Sequence, residues 1–131
     1  MDAEAVVREF WRLMGTNDFH AVTCVLAPGF VLEWPQSRER VRGGAAFARM
    51  NAEYPSQGPW RFEIRRLVAT EASVVTLVHV TDGTTSADAV SFFDVVDDRI
   101  TRLVEYWPER YPAPAHRAHL VEAMGADERG G

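Results

Sequence analysis

The stretch from Ala87 to Glu109 constrains this chain most, because it reads as two long strands that are apolar on both faces. Val96-Asp97-Asp98-Arg99 makes a tight turn between them. On the first strand Ala89, Ser91, Phe93 and Val95 share one face and Val90, Phe92 and Asp94 the other; on the second, Leu103, Glu105 and Trp107 alternate with Val104 and Tyr106. A sheet with one face in water alternates apolar with polar residues, so a hairpin apolar on both sides must be covered on both. Glu105 breaks the pattern, a carboxylate between Leu103 and Trp107. A buried carboxylate needs a partner, a raised pKa or a chemical task, which makes it the first candidate for function.

Upstream, Val6, Val7, Phe10, Leu13 and Met14 recur at helical spacing and predict an amphipathic helix from Ala3 to Met14, stopped at Gly15-Thr16-Asn17-Asp18. A second short helix is expected from Phe19 to Leu26, ended by Pro28-Gly29 and carrying Cys24 as a buried small hydrophobe. Phe30 to Trp34 reads as a strand closed by Pro35, Gln36 to Gly44 as an arginine-rich loop, and Ala45 to Tyr54 as a third helix. Strands follow at Trp60 to Val68 and Ser73 to Thr81, and Asp82-Gly83 turns the chain into the hairpin. Ala115 to Met124 predicts a last short helix and Gly125 to Gly131 a frayed end, giving one domain over 1–125 and a disordered tail over 126–131.

Helix, helix, strand, helix and then four strands is an α+β order, with three N-terminal helices on one face of a mostly antiparallel sheet. Three short helices cover one face only. The outer face, carrying Val75, Leu77, Val90, Phe92, Val104 and Tyr106, therefore needs a second cover, and a homodimer through it is expected. The alternative is a monomer whose C-terminal segment folds over that face.

At 131 residues and 47% hydrophobic the chain holds one real core, and a net charge of −5, from 14 basic and 19 acidic side chains, argues against nucleic acid as a partner. The acidic start, M-D-A-E-A-V-V-R-E-F, does not read as a signal peptide, and no apolar run is long enough for a membrane span. One cysteine suits a reducing cytoplasm. His20 reads as a helix-surface residue; His116 and His119 share a helical spacing but lack carboxylate or cysteine companions, so no metal is expected. Neither a Ser-His-Asp arrangement nor a phosphate-binding loop is present, and no cofactor is expected.

The element order, with L-E-W-P-Q-S-R-E-R-V-R-G at Leu32 to Gly43 and V-E-Y-W-P-E at Val104 to Glu109, resembles the nuclear transport factor 2-like superfamily and, within it, the SnoaL-like group, from Ala5 to about Trp107. The resemblance implies a cone-shaped, strongly curved sheet wrapped by helices around a cavity, and dimers through the sheet. It also implies relatives as varied as polyketide cyclases, ketosteroid isomerase, epoxide hydrolases and dehydratases, so the fold assigns no reaction. Set against ketosteroid isomerase, the oxyanion-hole tyrosine falls on Phe10, the general-base aspartate on Trp34 and the protonated aspartate on Ser91. With all three replaced, steroid isomerisation is not expected.

The same resemblance turns Phe10 and Met14 of the first helix, Leu32 and Trp34 of the first strand, and Phe47, Met50, Asn51 and Tyr54 of the third helix toward the cavity. From the later strands it adds Trp60, Phe62, Thr76, Val78, Ser91, Phe93, Leu103, Glu105 and Trp107, and it turns Glu33 and His79 outward. Such a lining suits a small apolar or polycyclic carbonyl compound held by a few hydrogen bonds. Glu105 is then a general base or acid, with Asn51, Tyr54 and Ser91 orienting the substrate, in a cofactor-free isomerisation, cyclisation or hydration. The alternatives are a structural carboxylate bonded to Tyr54, Ser91 or an arginine, and a non-catalytic binding or dimerisation module. Trp34 and Trp107 read as walls, and Arg38, Glu39, Arg40 and Arg42 either gate the mouth or form a solvated loop.

Overall fold

The computed structural model describes residues 1–125; the expected tail at 126–131 lies outside them. Helix α1 runs Ala3–Gly15, capped by Asp2, whose side chain accepts from the Ala5 amide at 2.8 Å. Its buried stripe is wider than the five expected positions, because Ala3 and Trp11 join Val6, Val7, Phe10, Leu13 and Met14. Phe10 sits among Trp11, Phe47 and Phe93 with ring centroids 5.0, 5.9 and 5.2 Å away. Truncating it to alanine should cost about 3–5 kcal/mol.

The expected second helix is a short 3-10 turn, Ala21–Val25, and not an α-helix. Val22, Thr23 and Val25 are β-branched and resist the α-turn, and the Thr23 hydroxyl donates to the His20 carbonyl at 2.6 Å. At three residues per turn Val22 and Val25 share the buried side, which leaves Cys24 exposed instead of buried. Pro28-Gly29 does not end a helix either, for both lie within strand β1, Leu26–Trp34, where pairing is irregular between Leu26 and Val31.

The segment expected as an arginine-rich loop contains β2, Glu39–Arg42, antiparallel to β1. Its alternation was masked because one apolar residue, Val41, marks the inward side. Helix α2, Gly44–Glu53, follows one residue earlier than expected. Strands β3, Arg61–Ala69, β4, Ser73–Thr81, β5, Ser86–Val96, and β6, Arg99–Tyr106, complete a six-stranded mixed sheet in the order β2-β1-β6-β5-β4-β3, with β1 and β6 parallel. The hairpin turn holds Asp97 and Asp98 at φ +50° and +62°, the left-handed pair that suits the twist of the strands it joins. Helix α1 lies against β3 to β6 and α2 against β1 and β2. The C-terminal helix is a 3-10 turn, Ala115–Leu120, with no buried side chain.

On the other sheet face Phe92 is 44% and Tyr106 37% exposed. Register puts Val75 opposite Phe92 and Phe92 opposite Val104, one apolar row across three strands. Beside it Glu33 points outward between Arg40 at 2.7 Å and Arg102 at 2.6 Å, whose hydrogen bonds hold its carboxyl below the usual range. His79 also faces outward, against Asp88 at 2.9 Å.

Candidate functional site

Between the helices and the sheet lies a pocket of about 470 Å³. Pockets of roughly 300–1,000 Å³ take small organic ligands, so this one has room for one. All four tryptophans of the chain line it, and each is fastened by a hydrogen bond. The Trp11 indole donates to the buried Thr76 hydroxyl at 3.2 Å, and the Trp34 indole to Glu105 Oε1 at 3.2 Å. Asn17, at the end of α1, accepts from the Trp60 amide and donates to the Trp60 carbonyl, both at 2.8 Å. Gln36 does the same for Trp107, accepting at 2.6 Å and donating at 3.2 Å. The walls are therefore set before any ligand arrives.

Glu105 reaches the pocket with 6% of its surface exposed. Ser91, directly opposite on β5, donates to Oε2 at 2.9 Å. Loss of water around the carboxylate pushes its pKa up, and the hydrogen bonds from Trp34, Ser91 and Trp107 oppose that only in part. Indole N–H groups only donate, so the shell is built for an acceptor, while burial favours the proton. Raising the pKa of a carboxylate makes it a stronger base, which is what proton transfer on a bound molecule needs.

Of the residues expected at the cavity, Phe10, Met14, Trp34, Phe47, Met50, Asn51, Tyr54, Trp60, Phe62, Glu105 and Trp107 line the pocket. Leu32, Thr76, Val78, Ser91, Phe93 and Leu103 do not; all six are buried, with Trp11 against Thr76 and Phe93 and Glu105 against Ser91. Ser91 thus meets Glu105 and not the pocket. Asn51 spends its amide nitrogen on the Phe47 carbonyl at 2.9 Å, and Tyr54 stands 58% exposed at the rim, its ring against Trp60. Neither is among the hydrogen-bond donors of Glu105.

Sequence reasoning missed Trp11, Ser37, Glu39, Val80 and the hairpin tip Thr85-Ser86-Ala87 as lining residues. Trp11 was legible at i+4 from Val7 and i−3 from Met14, and Glu39 would have followed from recognising β2, in which Glu39 and Val41 alternate with Arg40 and Arg42. The arginine run does not gate the mouth as a unit, since Arg40 pairs with Glu33 on the far face.

A second buried carboxylate stands behind Thr85, which lines the pocket. Asp82, 7% exposed, accepts from the Thr84 and Thr85 amides of its own turn at 2.9 and 2.7 Å and from the Gln57 amide at 2.8 Å. It ties the 55–59 loop to the β4–β5 turn, and its pKa is lowered by those backbone donors, Gln57 first. The loop passes so close that a Cβ added at Gly58 would stand 3.1 Å from the Asp82 carbonyl oxygen. No group of three or more potential metal ligands occurs among the described residues.

A family model for the SnoaL-like domain matches residues 7–103. Among solved structures, a protein of Kribbella flavida DSM 17836 provisionally assigned as a ketosteroid isomerase is 34% identical, with 97% of this chain and 93% of that one covered and a TM-score of 0.85. An NTF-2 like protein of unknown function from Burkholderia xenovorans LB400 is 20% identical over 93% and 94% of the two chains, TM-score 0.75, a likeness of fold. An LEH-like epoxide hydrolase of M. tuberculosis is 25% identical over 79% and 80%, TM-score 0.65. No curated protein matches. With the family model spanning most of the sheet and both α-helices, the chain belongs to the SnoaL-like family and has its NTF2-like α+β fold.

Proposed function

We propose that this protein binds a small, largely apolar carbonyl compound in its aromatic pocket and moves a proton on it with Glu105. The observation that carries this reading is the placement of Glu105: nearly sealed from water, lining the pocket, and met by neutral donors with its pKa raised. As base, Glu105 takes a proton from the carbon beside the carbonyl and later returns it elsewhere on the substrate, which is an isomerisation. If the enolate instead attacks a second carbonyl carbon, whose oxygen then receives the proton, the step is a cyclisation. If Glu105 takes its proton from a water that adds to a conjugated carbonyl and returns it to the carbon beside the carbonyl, the step is a hydration. Trp34 and Ser91 position the carboxylate, and Asn51 and Tyr54 meet the substrate at the rim. The chain has no lysine, so imine chemistry on a lysine is excluded, and the reaction proposed needs no cofactor. Steroid isomerisation is left out because Phe10 and Trp34 bring no hydroxyl and no carboxylate to the pocket.

A non-catalytic binder is the second reading, favoured by the hydrogen bonds that already occupy Glu105. Carbon-detected NMR titration of Glu105, with hydrophobic carbonyl ligands reporting through tryptophan fluorescence, separates the two. A titration above the ordinary carboxylate value of about 4.3, moved again by a ligand, supports the enzyme; a value that ligands leave unchanged supports the binder.

The reading includes a homodimer through the apolar row of Phe92, Val104, Tyr106 and their neighbours, supported by the exposure of Phe92 and Tyr106 and by their edge-on pair at 6.1 Å. The C-terminal turn offers no buried side chain to replace that cover. Light scattering should give twice the monomer mass for the wild type and the monomer mass for Phe92→Glu; an unchanged oligomer removes this face from the interface. No described helix is long and apolar enough to cross a membrane, and a cytoplasmic location with neither membrane nor nucleic-acid partner is proposed with it.

A further inference from the structure

The charges around the pocket narrow its ligand. Among the described residues its lining includes two carboxylates, Glu105 within and Glu39 at the rim, and no arginine or histidine. Arg40, beside Glu39 in sequence, and Arg102, three residues before Glu105, face the opposite side of the sheet, where Glu33 holds both. The remaining walls are chiefly aromatic, with the four tryptophans joined by Phe10, Phe62 and Tyr54. Aromatic faces carry the negative end of a quadrupole and attract cations, and a carboxylate in a poorly solvated site is stabilised by opposite charge far more than by neutral dipoles. The donors on Glu105 are neutral, so they orient its charge without cancelling it.

The geometry points to an organic cation as the ligand of this pocket: an aromatic or alicyclic body bearing a protonated or quaternary amine, seated among the tryptophans and paired with Glu105. This rests on the proposed ligand-binding reading and narrows it from apolar compounds in general to those carrying positive charge. It also supplies what the proton transfer lacks. Among the described residues no basic side chain lines the pocket to meet the negative charge that develops on a carbonyl oxygen when a neighbouring carbon loses its proton. A cationic substrate brings that compensation itself.

Benzyltrimethylammonium and its uncharged carbon isostere, neopentylbenzene, have nearly the same shape and differ in charge, so quenching of tryptophan fluorescence at pH 8 compares them directly. The cation should bind wild type roughly tenfold or more tighter than the isostere. Glu105→Gln should lower that ratio to about twofold, what remains being the pull of the aromatic faces and Glu39, with a wild-type circular dichroism spectrum as the check that the variant is folded. Glu39→Gln, out in solvent, should lower the ratio by about twofold. Equal binding of the two ligands, or tighter binding of the neutral one, overturns the cation preference and leaves the pocket reading standing. A tenfold ratio that survives Glu105→Gln removes Glu105 from recognition and overturns the pairing. Binding of neither ligand, with a panel of uncharged carbonyl compounds also failing, overturns the ligand-binding reading and the cation preference with it.

Discussion

Asp82 and Glu105 are about equally hidden, 7% and 6% exposed, and their pKa values move in opposite directions. The difference lies in what surrounds each oxygen. Asp82 takes three backbone amides, which are fixed by the chain and aligned on the carboxylate, and it is covered thinly by the loop it ties down. Those donors outweigh its small loss of water and favour the charge. Glu105 lies deeper, between sheet and helices, where the loss of water comes first and the side-chain donors Trp34 and Ser91 offset only part of it. Burial alone therefore says little about what a carboxylate is for. Asp82 is satisfied and shapes the rim; Glu105 is left with a charge that its surroundings tolerate poorly, which is the condition for proton transfer.

The contrast can be broken most sharply at Asp82. Asp82→Ala removes the acceptor for three amides, and hydrogen exchange at Gln57, Thr84 and Thr85 should accelerate by about a hundredfold, since each bond was made to a charged group. Asp82→Asn is more selective. One oxygen can still accept from Thr84 and Thr85, but the other position becomes an NH₂ that faces the Gln57 amide, donor against donor. Exchange should then rise by about tenfold at Gln57 while the turn stays protected. Unchanged exchange at Gln57 in both variants would mean that the 55–59 loop is held by other contacts and that Asp82 does not set the rim.

How much of this was legible in the sequence follows from the range of each contact. Glu105 could be found because the hairpin's period of two makes a polar residue on a buried face conspicuous, but its partner Ser91 comes opposite it only because the register shifts by one between Asp94 and Val95, away from the pairing that the turn sets at Val96 and Arg99. Asp82 read only as a turn residue, since its decisive donor, Gln57, is 25 positions away and has no local pattern. Cys24 was misjudged for a different reason: the apolar letters of Val22, Cys24 and Val25 do not say whether the turn closes every 3.6 residues or every 3, and one face differs between the two. The depth of Ser91 and Thr76 was hidden too, because alternation says which face a residue takes and not whether a tryptophan stands in front of it.

The two carboxylates should also pull stability in opposite directions with pH. Asp82, with a lowered folded pKa, contributes stability above the ordinary aspartate value of about 3.9, and that contribution is lost as pH falls through the folded pKa. Glu105, with a raised folded pKa, binds its proton more tightly in the folded chain, so it favours folding below the ordinary glutamate value and loses that advantage as pH rises to the folded pKa. Glu105→Gln keeps the shape and removes the charge. Its melting temperature should exceed that of wild type by on the order of 4 °C at pH 8 and match it at pH 4. Glu105→Leu should forfeit the gain, because it leaves the Trp34 N–H and the Ser91 hydroxyl without their acceptor. A Gln variant less stable than wild type at pH 8 would mean that the carboxylate is at ease in its site, as Asp82 is.

The smallest effect sharpens the comparison most directly, because it tests whether donors or depth set the pKa of Glu105. Ser91→Ala takes away one oxygen's donor and adds no charge; Ser91 is fully buried, so the change opens a space of about one hydroxyl. The Glu105 titration, followed by carboxyl carbon shift, should move to still higher pH, while Asp82 keeps its own. The direction follows from the balance at Glu105, where desolvation already leads and each donor removed weakens the opposition. If the titration instead stays where it was, water has entered beside β5 and replaced the serine, and the floor of the pocket is wetter than the 6% exposure of Glu105 implies. That outcome would bring Glu105 closer to an ordinary acid and weaken the case for proton transfer more than any change at the rim.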